Sequence, residues 1–245
     1  MSAFAYSTAL KAFAIPEGTT AVGTQVFMNC YALTSVTLPE SLTTLGSYAF
    51  YDAALTSLNI PSQLTTIPFN CFAGNKIETL VIPDTVTDID FDSFYNNTEL
   101  TSVTLPSKLN SLGGCCFRGC KKLATVVNGL PTTLGVDESD KTVELAFGDF
   151  ADTAITSMVI PQGYQQIGNY AFANSKLDTI TLPVSLTIIN KRAFGNTPLK
   201  KINYEGTEEQ FKQIAVDNST KNSWAGDNTP FLIVTDITYN YSYTA

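Results

Sequence analysis

At 245 residues, with 44% hydrophobic and 15% charged side chains, the chain has the composition of a folding protein and not of a disordered one. Its 14 Lys and Arg against 22 Asp and Glu leave a net charge of −8, which repels phosphate backbones and anionic headgroups, so no nucleic-acid or membrane partner is expected. There is no histidine, which removes the usual general base, the usual pH switch and the commonest transition-metal ligand.

The N-terminus, MSAFAYSTALKAFAIP, lacks the basic segment and apolar run of a secretory signal and reads instead as part of a repeat. No run approaches the ~20 apolar residues that span a bilayer, so no membrane insertion is expected. The repeat unit is a heptapeptide. LTSVTLP stands at 33–39 and again at 100–106, and LKAFAIP (10–16), LTSLNIP (55–61), IETLVIP (77–83), ITSMVIP (155–161) and LDTITLP (177–183) share its pattern. A phenylalanine follows the closing proline by eleven residues at Phe27, Phe50, Phe72, Phe94, Phe117, Phe172 and Phe194, and Phe4 fills the same column before Leu10. Two columns keeping one register identify a solenoid, in which each unit buries its apolar face only against its neighbours.

Inside each unit the aliphatic positions 4 and 6 of the heptapeptide alternate with small polar ones, which predicts a half-buried strand ended by proline. Apolar pairs after the proline, such as Leu42 with Leu45 and Val86 with Ile89, predict a second, shorter extended segment. Glycine often follows, at Gly23, Gly46, Gly113 and Gly168, as suits a tight turn. The small residue and Phe after it, as in Ala49-Phe50, predict a short helical turn whose ring fills the coil. The solenoid is expected over 1–203, with a partial first repeat at 4–15 and an irregular, expanded repeat at 127–150 that carries Asp137, Glu138 and Asp140. An insertion in a solenoid becomes a loop on one face, either a binding element or a solvated leftover of drift.

Beyond Leu199 the pattern changes, and 204–245 reads as a C-terminal cap and tail. Thr207 and Gln210 form a Thr-x-x-Gln capping box, predicting a helix whose Phe211, Ile214 and Ala215 cover the last coil. The run FLIVTDI at 231–237 reads as a strand, followed by Tyr239, Tyr241 and Tyr243 in alternation.

The pattern L-x-x-V-x-L-P then L-x-x-L-G-x-x-A-F, seen from Leu33 to Phe50 and echoed by Cys30 and Cys120 three residues after Phe, resembles the BspA-type (Treponema-type) leucine-rich repeat over residues 4–203. The segment YEGTEEQFKQI at 204–214 looks like the helix that often closes such arrays. The resemblance implies a leucine-rich-repeat solenoid: a right-handed, curved, β-rich superhelix with a continuous sheet of heptapeptide strands, short helical turns and no catalytic residues or cofactor. It also implies a surface or extracellular setting and adhesion. Pro68 and Asp90 depart from the pattern by replacing the usual Gly.

Three groups of residues are candidates for chemistry or recognition. Asp88, Asp90, Asp92, Asn96 and Glu99 match the oxygen-ligand spacing of a calcium loop, though Ser93 stands where that loop needs glycine, and the match is partly an accident of register, since Ile89 and Phe94 belong to core columns. Cys115 aligns with the polar column of Tyr48, Asn70, Asp92, Tyr170 and Arg192 and is expected to be the accessible thiol among five cysteines; without histidine it has no partner base. The third group is the outer face of the strands. Its ladders run through Thr34, Thr56, Thr101 and Thr156; through Ser35, Ser57, Thr79, Ser102, Ser157 and Thr179; and through Thr37, Asn59, Val81, Thr104, Val159 and Thr181. At ~4.8 Å per strand they form a hydroxyl-rich face roughly 40 Å long. Such a face serves β-propensity and cross-strand packing, or it serves recognition of a protein or carbohydrate. A binding module is the function this points to. The alternative is a structural assembly part, of a virion or a fibre, that pairs with neighbouring chains through the N-terminal coil or the C-terminal tail.

Overall fold

The structure, a computed structural model, describes residues 3–127, 130, 144–145, 148–218 and 227–242. The chain winds into a parallel β-solenoid of two ladders, with one strand of each in most described coils. The heptapeptides build the first ladder. Ala12–Ala14 pairs with Ser35–Thr37; Thr79–Val81 pairs with Ser102–Thr104 and so to Thr125–Val127; and Ser157–Val159 leads through Thr179–Leu182 and Lys201–Tyr204 to Asp236–Thr238. Two-residue strands after the proline turns build the second, from Ala21–Val22 with Thr44–Leu45 onward. The register follows the repeat: Phe13 faces Val36, and Leu80 faces Val103. A slip by one residue would turn each aliphatic ladder outward, so the buried pattern fixes the pairing.

The proline carbonyls start the corner between the ladders. Pro39, Pro61, Pro83 and Pro183 each accept from the N–H three residues on, closing a turn before the short strand. Gly46 and Gly113 are not there for the turn, since neither is left-handed. They answer to space: a Cβ would lie 2.3 Å from the Thr24 amide nitrogen at Gly46, and 2.4 Å from that of Phe91 at Gly113. Coil backbones therefore approach at this corner to a distance that only glycine permits.

The expected helical turn around each phenylalanine is absent. Two residues before Phe, the chain is left-handed at Gln25, Tyr48, Asn70, Asp92, Cys115, Gly148, Tyr170 and Arg192; two residues after, it is left-handed at Asn29, Asp52, Gly74, Asn96, Gly119, Asp152, Asn174 and Asn196. Left-handed residues four apart cannot continue a right-handed helix. The segment instead makes its hydrogen bonds to the next coil, as from Gln25, Phe27 and Asn29 to the carbonyls of Ser47, Ala49 and Tyr51.

The phenylalanines form a spine. From Phe4 through Phe27, Phe50, Phe72, Phe94, Phe117, Phe150, Phe172 and Phe194 to Phe231, each ring stacks on the next at 5.2 to 5.9 Å between centres. Three residues beyond Phe, a buried side chain satisfies the turn backbone. Asn75 Nδ2 donates to the carbonyls of Phe50 and Phe72, Thr153 and Thr197 donate to those of Phe150 and Phe194, and the Cys120 thiol donates to that of Phe94. This column thus holds small polar groups because each closes a backbone bond inside the core.

The first ladder is not one continuous sheet. Residues 55–61 form no strand, although Thr56 N–H still donates to Thr34 O and Glu78 N–H to Thr56 O. The interruption follows Ala54, left-handed at φ 69°. The ladder breaks again between Thr125–Val127 and Ser157–Val159, across the expanded repeat.

The C-terminal segment also differs from expectation. The capping box at Thr207 and Gln210 is present, but the helix it starts is one turn, Glu208–Phe211. Ala215 then lies in a strand paired with Ile188, so it does not share a helix face with Phe211. The run from Phe231 splits: Thr229–Leu232 is a helical turn that places Phe231 on the spine, and the strand is Asp236–Thr238.

Candidate recognition surface

The outward positions of the heptapeptide strands carry no charge among the predicted residues, and most face solvent. Thr34, Ser35, Thr37, Thr56, Ser57, Asn59, Thr79, Thr101 and Ser157 are exposed, whereas Ser102, Thr104 and Thr179 are half-buried. Thr181 is not available at all. It is 4% exposed, and its hydroxyl accepts from Asn203 Nδ2 at 3.3 Å, because the strand there is lengthened and paired on both sides. Asp137, Glu138 and Asp140 lie outside the described residues, as does Tyr243.

The hydroxyls of this face are not equivalent. Thr34, Thr56 and Thr101 each donate to a carbonyl of the preceding coil, at Lys11, Thr34 and Glu78, over 3.0 to 3.3 Å. Their protons are committed to holding coils together, so toward a partner they can only accept. The exposed Ser35, Ser57, Asn59 and Thr79 columns retain both faculties for a ligand.

The five carboxylate and amide residues of the calcium spacing do not converge. Asp88 accepts from the Ser111 and Thr87 hydroxyls, Asp90 Oδ1 accepts from the Phe91 amide, and Glu99 pairs with Lys122 at 2.5 Å. Asp92 and Asn96 occupy two of the left-handed positions. Among the described residues, no group of three or more carboxylate or thiol side chains could hold a metal ion. The spacing that would wrap a loop around an ion is here laid out along a coil.

Cys115 is buried, not accessible as its column suggests. It is 9% exposed, and its Sγ would lie 3.2 Å from a Cβ on Gly148, the residue in the same column of the next coil. Burial, together with the Asp92 carboxylate, pushes its thiol up to about 11, against the opposing hydrogen bond and charge of Arg118. The polar column looks exposed in sequence because Tyr48, Asn70 and Asp92 are polar, yet it is left-handed backbone lying between coils.

A surface absent from the sequence reading lies on the turn face. Tyr31, Phe91 and Tyr95 are exposed there, and Tyr48 packs edge-on against Tyr51 and Phe69. The signal was available as aromatic residues one to four places from the spine in coils one to four, the Phe27 coil being the first and the Phe94 coil the fourth, outside the apolar columns that the repeat explains.

Family comparison agrees with this geometry. The family described as the BspA type leucine rich repeat region matches in six copies over residues 1–124 and 143–223. The chain belongs to this family. No curated protein matches the BspA-type chain, but solved structures do. It superposes on a leucine-rich repeat protein from Bacteroides ovatus with a TM-score of 0.76 at 22% identity, covering 95% of this chain and 61% of that one. A leucine rich cell surface protein from Faecalibacterium prausnitzii gives 0.55 at 28%, covering 89% and 66%, and a leucine-rich repeat protein of T. pallidum gives 0.54 at 24%, covering 67% and 76%. The BspA-type chain thus spans less than two thirds of the first two. No helix among the described residues is long and apolar enough to cross a membrane.

Proposed function

We propose that this BspA-type chain is a non-enzymatic recognition module that binds a protein or glycan at a cell surface through its strand face. The observation that carries the reading is the column of uncharged, exposed polar groups, Ser35, Ser57 and Thr79, set on successive coils with their hydrogen-bonding capacity turned to solvent. Extended solenoid faces of this kind supply one repeated contact per coil, so weak single contacts add along a chain-like or flat partner. The cell-surface description of the Faecalibacterium relative supports the setting and says nothing of the ligand.

The test is a paired variant, Ser35→Lys with Thr79→Lys, two coils apart. Wild type and variant are labelled and compared on a glycan array and on immobilised extracellular-matrix proteins. Two lysines in the uncharged Ser35, Ser57 and Thr79 column are expected to weaken binding at least about tenfold, with an unchanged melting temperature. Ligands retained with equal affinity by the variant would place the site elsewhere.

A further inference from the structure

The turn face of coils two to four holds aromatic rings that neither the spine nor the strand face uses. Tyr51 is at their centre: its phenol is raised by burial, then by Asp52 and by the phenols of Tyr48, Tyr95 and Tyr31, which places each of these groups within electrostatic reach of Tyr51. Tyr51 and Tyr95 occupy the same position, directly after Phe50 and Phe94, two coils apart. Between them coil three has the buried Ala73 and then Gly74 at the matching positions, with Lys76 beyond. The register sets the backbones of the two tyrosines two coil spacings apart, ~10 Å at the usual strand separation, and the small residues between them leave a notch. The Asp52 carboxylate leans over the floor, since a Cβ on Gly74 would lie 3.0 Å from its Oδ1.

We propose that this notch binds the arginine or lysine side chain of an extended segment of a partner protein. The acidic charge of the chain favours a cation. Asp52 frames one side and Asp92 the coil beyond, in a chain of net charge −8. Burial raises the Asp52 carboxyl, with Lys76 opposing, so a cation entering the notch relieves a carboxylate short of solvent. A buried cation–tyrosine contact of this kind is already made within the chain, in the column two residues before Phe, where Tyr48 also stands. At coils seven and eight the Arg192 guanidinium lies 6.0 Å from the Tyr170 ring centre and donates to its hydroxyl at 3.4 Å. Coils two to four present the rings and carboxylates for an arginine that the partner brings. A guanidinium midway in the notch stands ~5 Å from either wall, inside the ~6 Å reach of cation–π attraction.

The probes are three capped decapeptides, alternating Arg-Ser, Gln-Ser and Glu-Ser, with cellohexaose as the neutral sugar, each titrated calorimetrically into the whole chain. The Arg peptide is expected to bind, and to weaken as salt is raised. Tyr95→Ala and Asp52→Asn are each expected to weaken it roughly three- to thirtyfold. Asp52→Asn keeps the fold, because Asn29, Asn96, Asn174 and Asn196 occupy its column in other coils with the same left-handed backbone. The Ser35→Lys and Thr79→Lys variant, on the strand face, is expected to bind the Arg peptide unchanged, which separates this surface from the one proposed above. Equal binding of the Gln peptide, binding of cellohexaose in place of the Arg peptide, no binding at all, or an unchanged affinity in both notch variants overturns the proposal.

Discussion

Cys115 shows how much one residue's meaning depends on its neighbours in the next coil. A thiol in a polar column reads as exposed, yet the column is backbone packed between coils, and glycine at 148 lets the coil close over the sulfur. All five cysteines are buried. Burial sets their titration: Cys115 is pushed up to about 11 and Cys120 to about 12, from an ordinary 9.0. The consequence for stability has a definite sign. Between pH 9 and 11 the unfolded chain has lost thiol protons that the folded chain keeps, so the unfolded state binds fewer protons and stability falls as pH rises. Below pH 9 these groups contribute no pH dependence. Urea midpoints measured from pH 8 to pH 10.5 are expected to be level to about 9 and to decline beyond it. Titration of native protein with a thiol reagent at neutral pH is expected to find no fast-reacting group and five after denaturation; one fast group would return Cys115 to solvent.

At the scale of elements, the strands were legible because burial enforces their period: Leu80 and Val103, inside at 2% and 0% exposure, sit where alternation puts them. The spine was legible for the same reason. The turns were misread because a small residue followed by Phe suits a helix as well as a bend, and only the backbone shows the left-handed pair. One half of that pair did leave a trace, since Asn29, Asp52, Gly74, Asn96, Gly119, Asp152, Asn174 and Asn196 are the residue types that tolerate positive φ. The other half, with Gln25, Tyr48 and Arg192, left none. At 204–214 the capping box was readable, but not the length of its helix, which competes with a strand pairing to Ile188 and Ile189. The box still has a measurable weight. The Thr207 hydroxyl accepts from the Gln210 amide at 3.3 Å, and Gln210 Oε1 accepts from the Thr207 amide at 2.9 Å. Thr207→Ala removes the first bond and is expected to cost ~1 kcal/mol, read as a lower urea midpoint. Because Phe211 packs on Tyr204, Phe231 and Tyr239, exchange of their amides is expected to quicken while coils one to four stay unchanged.

For the whole molecule the spine makes the solenoid a nearly one-dimensional object, in which each coil touches the coil before and the coil after. Stability should then depend on where a lesion falls, not only on what it removes. Phe94 is fully buried and stacks on Phe72 and Phe117, both at 5.7 Å, whereas Phe231 stacks on Phe194 at 5.3 Å, touches Phe211 from the side and has no spine ring beyond it among the described residues. Cutting either to alanine deletes the same atoms. Phe94→Ala opens a cavity between two packed coils and is expected to cost ~4 kcal/mol. It also weakens two coil interfaces at the centre of the array, so the loss of amide protection should spread from coil four in both directions, and unfolding should separate into two steps. Phe231→Ala leaves every internal interface intact, so the loss should stay within residues 201–238 and shift the main transition little. Hydrogen exchange resolved by segment, run beside urea unfolding, distinguishes the two patterns. Equal midpoints and the same protection map for both variants would mean that the spine folds as one cooperative block and that nearest-neighbour coupling does not describe this solenoid.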